Sequence, residues 1–250
     1  MAKVLRGVIL NPQADRSVAL FNDGVLATGD DRRLTFVGHW KDFASIHGAN
    51  VPYEQATGLI LPAMVDLHTH VPQFPIRGDF SKGVSQNDPR GVLLASLQTN
   101  VFPVEAQFAD VEHAERVIRA FVADAASHGV IGGCAFLTAH PAAARRAMEV
   151  LPPTWHGGLV LMNQNCPDDL CTPDAIIDDV KALSRDFGQR HVITDRFAVA
   201  TTSPLRRRAA EVARNEGAMT QTHLNEQLAE KALVEDVLYR GTKSYADVYL

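Results

Sequence analysis

The sequence predicts an α/β fold in which strands alternate with helices, preceded by a smaller β-rich segment. From Leu59 onward, short apolar runs alternate with stretches of helical periodicity, which is typical of repeated βα units and a parallel sheet. Before that point, short apolar runs are separated by turn-forming residues. We therefore expect a small β-rich domain over residues 1–57 and a larger α/β domain over residues 58–250.

The N-terminal segment predicts a small antiparallel meander. A turn is expected at Asn22-Asp23-Gly24 and another at Gly29-Asp30-Asp31, because these residue types favour tight turns. The strands are expected at residues 4–10, 17–21, 25–28 and 34–37.

The sequence of the larger segment predicts five strands with helices between them. Asp110, Thr172 with Pro173, Ser203 with Pro204, and Asn225 are expected to begin helices, because these residue types favour the first positions of a helix. A shorter helix is expected over residues 141–150. The strands are expected at residues 59–67, 130–137, 159–163, 191–200 and 218–223.

Two parallel architectures fit this pattern, an open doubly wound sheet and a closed (β/α)8 barrel. The sequence contains no glycine-rich dinucleotide motif and no phosphate-binding P-loop motif, which disfavours the nucleotide-binding fold. In a barrel, functional side chains lie at the carboxyl ends of the strands.

The composition excludes several classes of partner. The chain is 46% hydrophobic and carries a net charge of −5 without a long basic run, so we expect no nucleic-acid partner. No segment approaches the roughly 20 apolar residues of a membrane span, and the N-terminus lacks the pattern of a signal peptide. We expect a cytoplasmic protein whose Cys134, Cys166 and Cys171 form no disulfide framework and have structural roles.

His68-Thr69-His70 at the end of an apolar run is the first candidate site. The run over residues 59–67 predicts a buried strand. Since side chains alternate faces along a strand, His68 and His70 point the same way. Two converging imidazoles are typical of a transition-metal site, most often zinc, although they also occur as ordinary residues at a strand end.

The segment Gln221-Thr222-His223-Leu224-Asn225-Glu226 is the second candidate site. His223 closes a predicted strand, and Glu226 follows three residues later. A third imidazole and a carboxylate that moves protons would complete a hydrolytic metal site. The alternative is a strand-end histidine followed by a glutamate that favours the helix dipole.

These segments resemble the amidohydrolase superfamily, and within it the guanine deaminases. The run from Pro62 to His70 is similar to the first-strand motif of the superfamily, and a small preceding β domain also resembles it. His70-Val71-Pro72-Gln73-Phe74 resembles the H-x-P/S-Q-Y/F stretch of guanine deaminases. Four further segments are similar to guanine deaminase motifs in the same order: residues 99–105, 194–198 (with Asp195 in place of proline), 221–226 and 245–249.

The resemblance implies a (β/α)8 barrel that deaminates guanine to xanthine and ammonia with one zinc ion. His68, His70 and His223 would bind the metal, with iron as the alternative ion, and Glu226 would move protons. The substrate-binding residues would be Gln73 and Arg196 at the purine edge and Phe197 on its face. The ordinary alternatives are a loop position for Gln73, a salt bridge with Asp195 or another acid for Arg196, and a core position for Phe197.

The chain departs from the family pattern in its second half. The family has a further histidine after the sixth strand and an aspartate after the eighth, and the sequence ends at Leu250 before either motif. We expect an incomplete barrel of about five βα units, as part of a longer protein or completed by a homodimer partner or another chain. The other hypotheses are an amidohydrolase of another purine, a pterin or a triazine, and an inactive metal-binding or interaction fragment. The polar segment over residues 77–90 fits the family poorly and is interpreted as a substrate-side loop.

Overall fold

The computed structural model describes residues 3–250. The chain divides into two compact units, with the boundary between Ala63 and Met64. Within the described residues, no helix combines the length and apolar character that a membrane crossing requires.

The smaller unit is a four-stranded sheet with one helix. Strand β1 (Lys3–Pro12) pairs antiparallel with β2 (Val18–Thr28), which pairs antiparallel with β3 (Leu34–His39). Helix α1 (Trp40–His47) follows, and strand β4 (Glu54–Ile60) lies parallel to β1 on its other edge.

Two expectations for this unit are wrong. The unit is mixed rather than purely antiparallel, because β4 reaches the far edge of β1 through α1. The turn expected at Asn22-Asp23-Gly24 is absent, since β2 runs through it as one strand. A register shift between Gly7 and Ile9 of the facing strand accommodates the irregularity instead.

The larger unit contains parallel strands that pair with their neighbours in sequence. The orders are β5-β6-β7 and β8-β9-β10. A single residue, Leu159, separates β7 from β8, so these two behave as one interrupted strand, and a bridge joins Gly157 to His191. This sequential parallel order is that of an arc of a TIM barrel. The strands are β5 (Met64–His70), β6 (Val130–Phe136), β7 (Trp155–Gly158), β8 (Val160–Leu161), β9 (Ile193–Phe197) and β10 (Thr220–His223).

Helices connect these strands. The longest connection runs from β5 to β6, and it contains α2, a π-helical turn (Leu97–Val101), α3 and α4. The helices are α2 (Val92–Ser96), α3 (Phe102–Ala106), α4 (Val111–Ser127), α5 (Pro141–Val150), α6 (Ile176–Phe187), α7 (Ser203–Glu216) and α8 (Leu228–Ala232), which continues into a π-helical segment (Leu233–Leu238).

The helix starts agree with the sequence in part. Asp110 caps α4 as predicted and accepts hydrogen bonds from the backbone of Glu112 and His113. Thr172 does not begin α6; its hydroxyl donates to the Met162 carbonyl at 2.7 Å, and the helix starts at Ile176. Helix α7 begins at Ser203, followed by Pro204, with Thr202 in the N-cap position, whereas α8 starts later than expected, because its N-cap is Gln227 rather than Asn225.

Strand β5 is more exposed than the apolar run predicts. Residues 59–67 are not one buried strand, because β4 ends at Ile60 and β5 starts at Met64. Val65 is 60% exposed and Leu67 is 76% exposed. Within residues 3–250, β5 pairs only with β6, so neither its free edge nor these side chains are covered.

The sequence predicts no disulfide framework, and the structure contains a single disulfide that was not expected. Cys166 and Cys171 form one in the loop between β8 and α6. A tight turn brings them together: the backbone N–H groups of Leu170 and Cys171 both donate to the Pro167 carbonyl, and the two Cα atoms are 5.7 Å apart. Cys134 is free, and its thiol donates to the Gln221 side chain at 3.0 Å.

Asp195 is a buried acid between β9 and α7. Its side chain lies 3.9 Å from the Arg206 guanidinium, and the residue is 9% exposed. Burial raises the pKa of Asp195 to about 6, although Thr201 and Arg206 act in the opposite direction. The ionised carboxylate is therefore poorly stabilised in this position at neutral pH.

We predict that Asp195→Asn raises the free energy of unfolding at pH 7 more than at pH 4. The folded pKa lies above the unfolded value of 3.8, so folding takes up a proton. The stabilisation that the native protein gains from this proton uptake is complete below about pH 3.8 and is lost as the pH rises through about 6. The increase in the free energy of unfolding caused by the substitution should be about 2–3 kcal/mol larger at pH 7 than at pH 4, measured by urea unfolding. An equal effect at both pH values would contradict the prediction. Glu216→Gln, at the exposed end of α7, is the control.

Candidate metal and substrate site

The carboxyl ends of three parallel strands position the candidate site. His70 is the last residue of β5, Phe197 the last of β9 and His223 the last of β10. Since parallel strands end at the same edge of the sheet, side chains distant in sequence meet there. His68 lies two residues before His70 and shares its face of β5.

Three imidazoles form one wall of the site. One ligand atom from each of His68, His70 and His223 can be chosen so that all lie within 4.8 Å of one another. The Nε2 atoms of His70 and His223 are 2.9 Å apart. The Phe136 ring stacks on His70 at 4.5 Å between ring centroids and lies 4.4 Å from His223. This apolar backing limits the rotation of both imidazoles.

A backbone contact fixes the tautomer of His223. Its Nδ1 lies 2.6 Å from the carbonyl oxygen of Arg196. A carbonyl only accepts hydrogen bonds, so Nδ1 carries the proton and Nε2 keeps a free lone pair. This arrangement is typical of a metal-binding histidine, whose second ring nitrogen donates to a carbonyl or carboxylate.

The environment of His70 and His223 favours the neutral form of both imidazoles. Burial lowers the pKa of His70 well below its ordinary value, and Arg196 and the other two imidazoles act in the same direction. Burial also lowers the pKa of His223 to about 4. Neutral imidazole is the form that binds metal ions, so the donor set fits such an ion at neutral pH.

A second wall of the site is polar, and its side chains are joined by Glu105. The Arg196 guanidinium donates to both carboxylate oxygens of Glu105, at 2.6 and 3.1 Å. The Gln73 amide donates to the same carboxylate at 3.0 Å. Both charged side chains are almost completely buried, at 3% exposed for Arg196 and 6% for Glu105. Arg196 therefore forms the salt bridge anticipated as its ordinary role, with Glu105 rather than Asp195.

Glu226 lies at the mouth of the site, in the turn that follows β10. The side chain of the fully buried Glu230 accepts hydrogen bonds from the backbone N–H groups of Glu226 and Gln227, at 2.8 and 3.2 Å, and so fixes this turn. Partial burial, followed by the nearby Glu230 carboxylate, raises the pKa of Glu226.

One cavity of about 250 Å³ joins these walls. All seven residues selected from the sequence line it, and Phe197 also belongs to the hydrophobic core, as its alternative role anticipated. Three apolar residues that the sequence did not single out line it as well: Phe80, Leu93 and Leu97. The selected residues are His68, His70, Gln73, Arg196, Phe197, His223 and Glu226.

Four residues of the site were not singled out in the sequence, and two of them, Phe80 and Glu105, lie in segments that the sequence analysis had described. Phe80 comes from the polar segment over residues 77–90, which supports its interpretation as a substrate-side loop. Glu105 belongs to a segment that resembles guanine deaminases, but it was given no role. Its segment was assigned neither a strand nor a helix, and an acid in such a segment looks like a surface residue, so only the fold reveals its burial.

Comparison with known proteins places this chain in a family. Residues 59–249 match the amidohydrolase family, which covers more than half of the chain, so the chain belongs to that family. Members of this family are in general metal-dependent, in agreement with the three converging imidazoles.

The similar proteins are guanine deaminases. The chain is 29% identical over 208 residues to a probable guanine deaminase of Schizosaccharomyces pombe (76% of this chain, 37% of the relative). It is 27% identical over 269 aligned positions to a probable guanine deaminase of Deinococcus radiodurans (99% of this chain, 58% of the relative). The chain thus spans about half the length of the curated relatives it matches.

Solved structures support the fold. The structure of E. coli guanine deaminase matches with a TM-score of 0.81 at 24% identity, covering 99% of this chain and 58% of that one. The guanine deaminase of C. acetobutylicum, with guanine bound in its active site, matches with a TM-score of 0.80 at 23% identity and the same coverage. The larger unit therefore has a TIM-barrel-like α/β fold.

Proposed function

We propose that this chain carries the metal-binding and substrate-binding half of a hydrolase that converts guanine and water to xanthine and ammonia. The observation that carries the proposal is the single cavity in which an imidazole cluster faces a buried arginine, with a carboxylate at the mouth. The guanine deaminases among its relatives support guanine as the substrate. Residues 58–250 would form the catalytic domain.

The proposed metal is zinc, held by His68, His70 and His223. Neutral imidazoles with one ring nitrogen anchored by a carbonyl are good ligands for zinc, and iron accepts the same donors. When bound there, the ion supplies Lewis acidity that activates water at neutral pH.

Glu226 is the proposed proton carrier. Its raised pKa brings the carboxyl group closer to neutral pH, which suits a group that takes up a proton and then returns it. In deamination, the carboxylate would take one proton from the attacking water and deliver it to the ring nitrogen. It would then take the second proton from the new hydroxyl group, which becomes the product carbonyl, and deliver it to the leaving amine. Ammonia then leaves with the carbon–nitrogen bond broken.

The other residues would bind the purine. Arg196 offers fixed N–H donors to a carbonyl oxygen, and the flat ring of Phe197 suits the face of a heterocycle. Gln73 lines the same cavity, shares the Glu105 carboxylate with Arg196, and would supply an amide for the purine edge. Leu93 and Leu97 would exclude water from the apolar side of the cavity.

The finer architecture that we propose is a closed (β/α)8 barrel. Val65 and Leu67 are apolar and exposed, and an uncovered strand edge favours pairing with another strand. Further strands, in the same polypeptide or in a partner chain such as a second copy, would cover them. The further histidine and the aspartate implied by the resemblance would come from those strands.

We predict that the protein binds one zinc ion and that His70→Ala abolishes this binding. The substitution removes one of three converging nitrogen donors, which leaves too few protein ligands for a stable site. Metal content is measured by inductively coupled plasma mass spectrometry after gel filtration. His128→Ala, an exposed histidine at the end of α4, should keep the zinc. Stoichiometric zinc in the His70 variant would exclude the ligand assignment.

The test of the function is ammonia release from guanine by the zinc-loaded protein and by its Glu226→Gln variant. The variant should retain zinc and lose about 10²–10⁴-fold in kcat, because glutamine cannot carry a proton. Glu216→Gln is the matched control, since that exposed residue lies on α7 away from the cavity. Lack of ammonia release by the protein with the further strands of the closed barrel in place would argue against the activity. Normal turnover by the Glu226→Gln variant would argue against Glu226 as the proton carrier.

A further inference from the structure

Glu105 contacts two proposed substrate-binding residues but does not itself line the cavity. It belongs to α3, whereas Gln73 follows β5 and Arg196 lies near the end of β9. Its two oxygens accept three hydrogen bonds, one from Gln73 and two from Arg196. A single buried carboxylate thus connects Gln73 and Arg196, which are 123 residues apart in the sequence.

The contact with Glu105 determines which way the Gln73 amide faces. A carboxylate beside a guanidinium has only acceptor oxygens, so the amide must present its NH₂ group to Glu105. Its carbonyl oxygen then points away from Glu105. Without this contact, either end of the amide could face the cavity.

The same contact orients Arg196. Two N–H groups are directed to Glu105, and the Phe102 ring lies 5.2 Å from the guanidinium carbon, so the plane of the group is fixed. The other N–H groups remain as donors. Both residues line the cavity, so the groups not engaged by Glu105, N–H donors of Arg196 and the carbonyl oxygen of Gln73, are available to a bound molecule.

We propose that Glu105 is a positioning residue that makes the pocket selective for heterocycles with a lactam edge, meaning a ring C=O next to a ring N–H. The C=O would accept from Arg196, and the N–H would donate to the Gln73 carbonyl oxygen. A ring with the reverse pattern, an amine next to an unprotonated nitrogen, would place its donor against the N–H groups of Arg196. It would also place its acceptor against the carbonyl oxygen of Gln73. This inference rests on the proposed function and specifies the substrate edge that the site reads.

The test compares the binding of hypoxanthine and adenine to the zinc-loaded protein by calorimetry. Hypoxanthine has the lactam edge, adenine has the reverse pattern, and neither has the 2-amino group of guanine. The native protein should bind hypoxanthine at least about tenfold more tightly, since mispaired buried polar groups cost about 1–3 kcal/mol each. In Glu105→Gln the preference should fall below about threefold, because the new amide can accept as well as donate and Gln73 can turn over.

Two further variants separate positioning from a general effect on folding. Asp195→Asn also converts a buried acid beside an arginine to an amide, but it lies away from the cavity and should keep the preference. Gln73→Met changes a half-buried residue and should weaken hypoxanthine binding about tenfold with little effect on adenine. This variant tests the acceptor even where Glu105→Gln does not fold.

The outcomes distinguish this inference from the proposed function. An unchanged preference in Glu105→Gln and in Gln73→Met, or no lactam preference in the native protein, would overturn it, even if guanine releases ammonia. A preference that depends on Glu105 would support it, even if guanine releases none, and only the deaminase proposal would then fail.

Discussion

The hydrogen bond between the Arg196 carbonyl and His223 Nδ1 connects the two halves of the site. Through its backbone, Arg196 sets the tautomer of an imidazole in the metal-binding wall. Through its side chain, it pairs with Glu105 and so with Gln73 in the polar wall. Because one residue serves both walls, a shift of β9 relative to β10 would disturb the imidazole cluster and the substrate wall together.

This arrangement places a charged pair where apolar packing would normally lie. Removing a guanidinium and a carboxylate from water is costly, and a buried ion pair is therefore weak evidence for stability. The three hydrogen bonds to Glu105 compensate part of that cost by satisfying its oxygens. In exchange, the charged pair fixes the orientation of the Arg196 and Gln73 side chains, which would be variable in a cavity lined by flexible side chains.

Spacing along the chain relates only part of the candidate site, whereas Gln73, Arg196 and Phe197 were selected through the resemblance to guanine deaminases. His68 and His70 lie on one strand face, and Glu226 follows His223 within a single turn, so spacing alone relates them. The exposure of β5 could not be predicted, since an apolar run does not reveal whether its neighbours are present. Glu105 and the Cys166–Cys171 disulfide were missed for a related reason: both depend on how loops and short helices fold back, which residue type does not encode.

The order of the strands also determines when the site can form. Each parallel strand pairs with a neighbour in sequence, so the sheet can grow strand by strand, but every pairing spans a long crossover connection, which slows folding. His70 and His223 are 153 residues apart, and they meet only after the intervening strands are in place. The imidazole cluster is therefore among the last features to assemble, and metal uptake during refolding would report completion of the sheet rather than its nucleation.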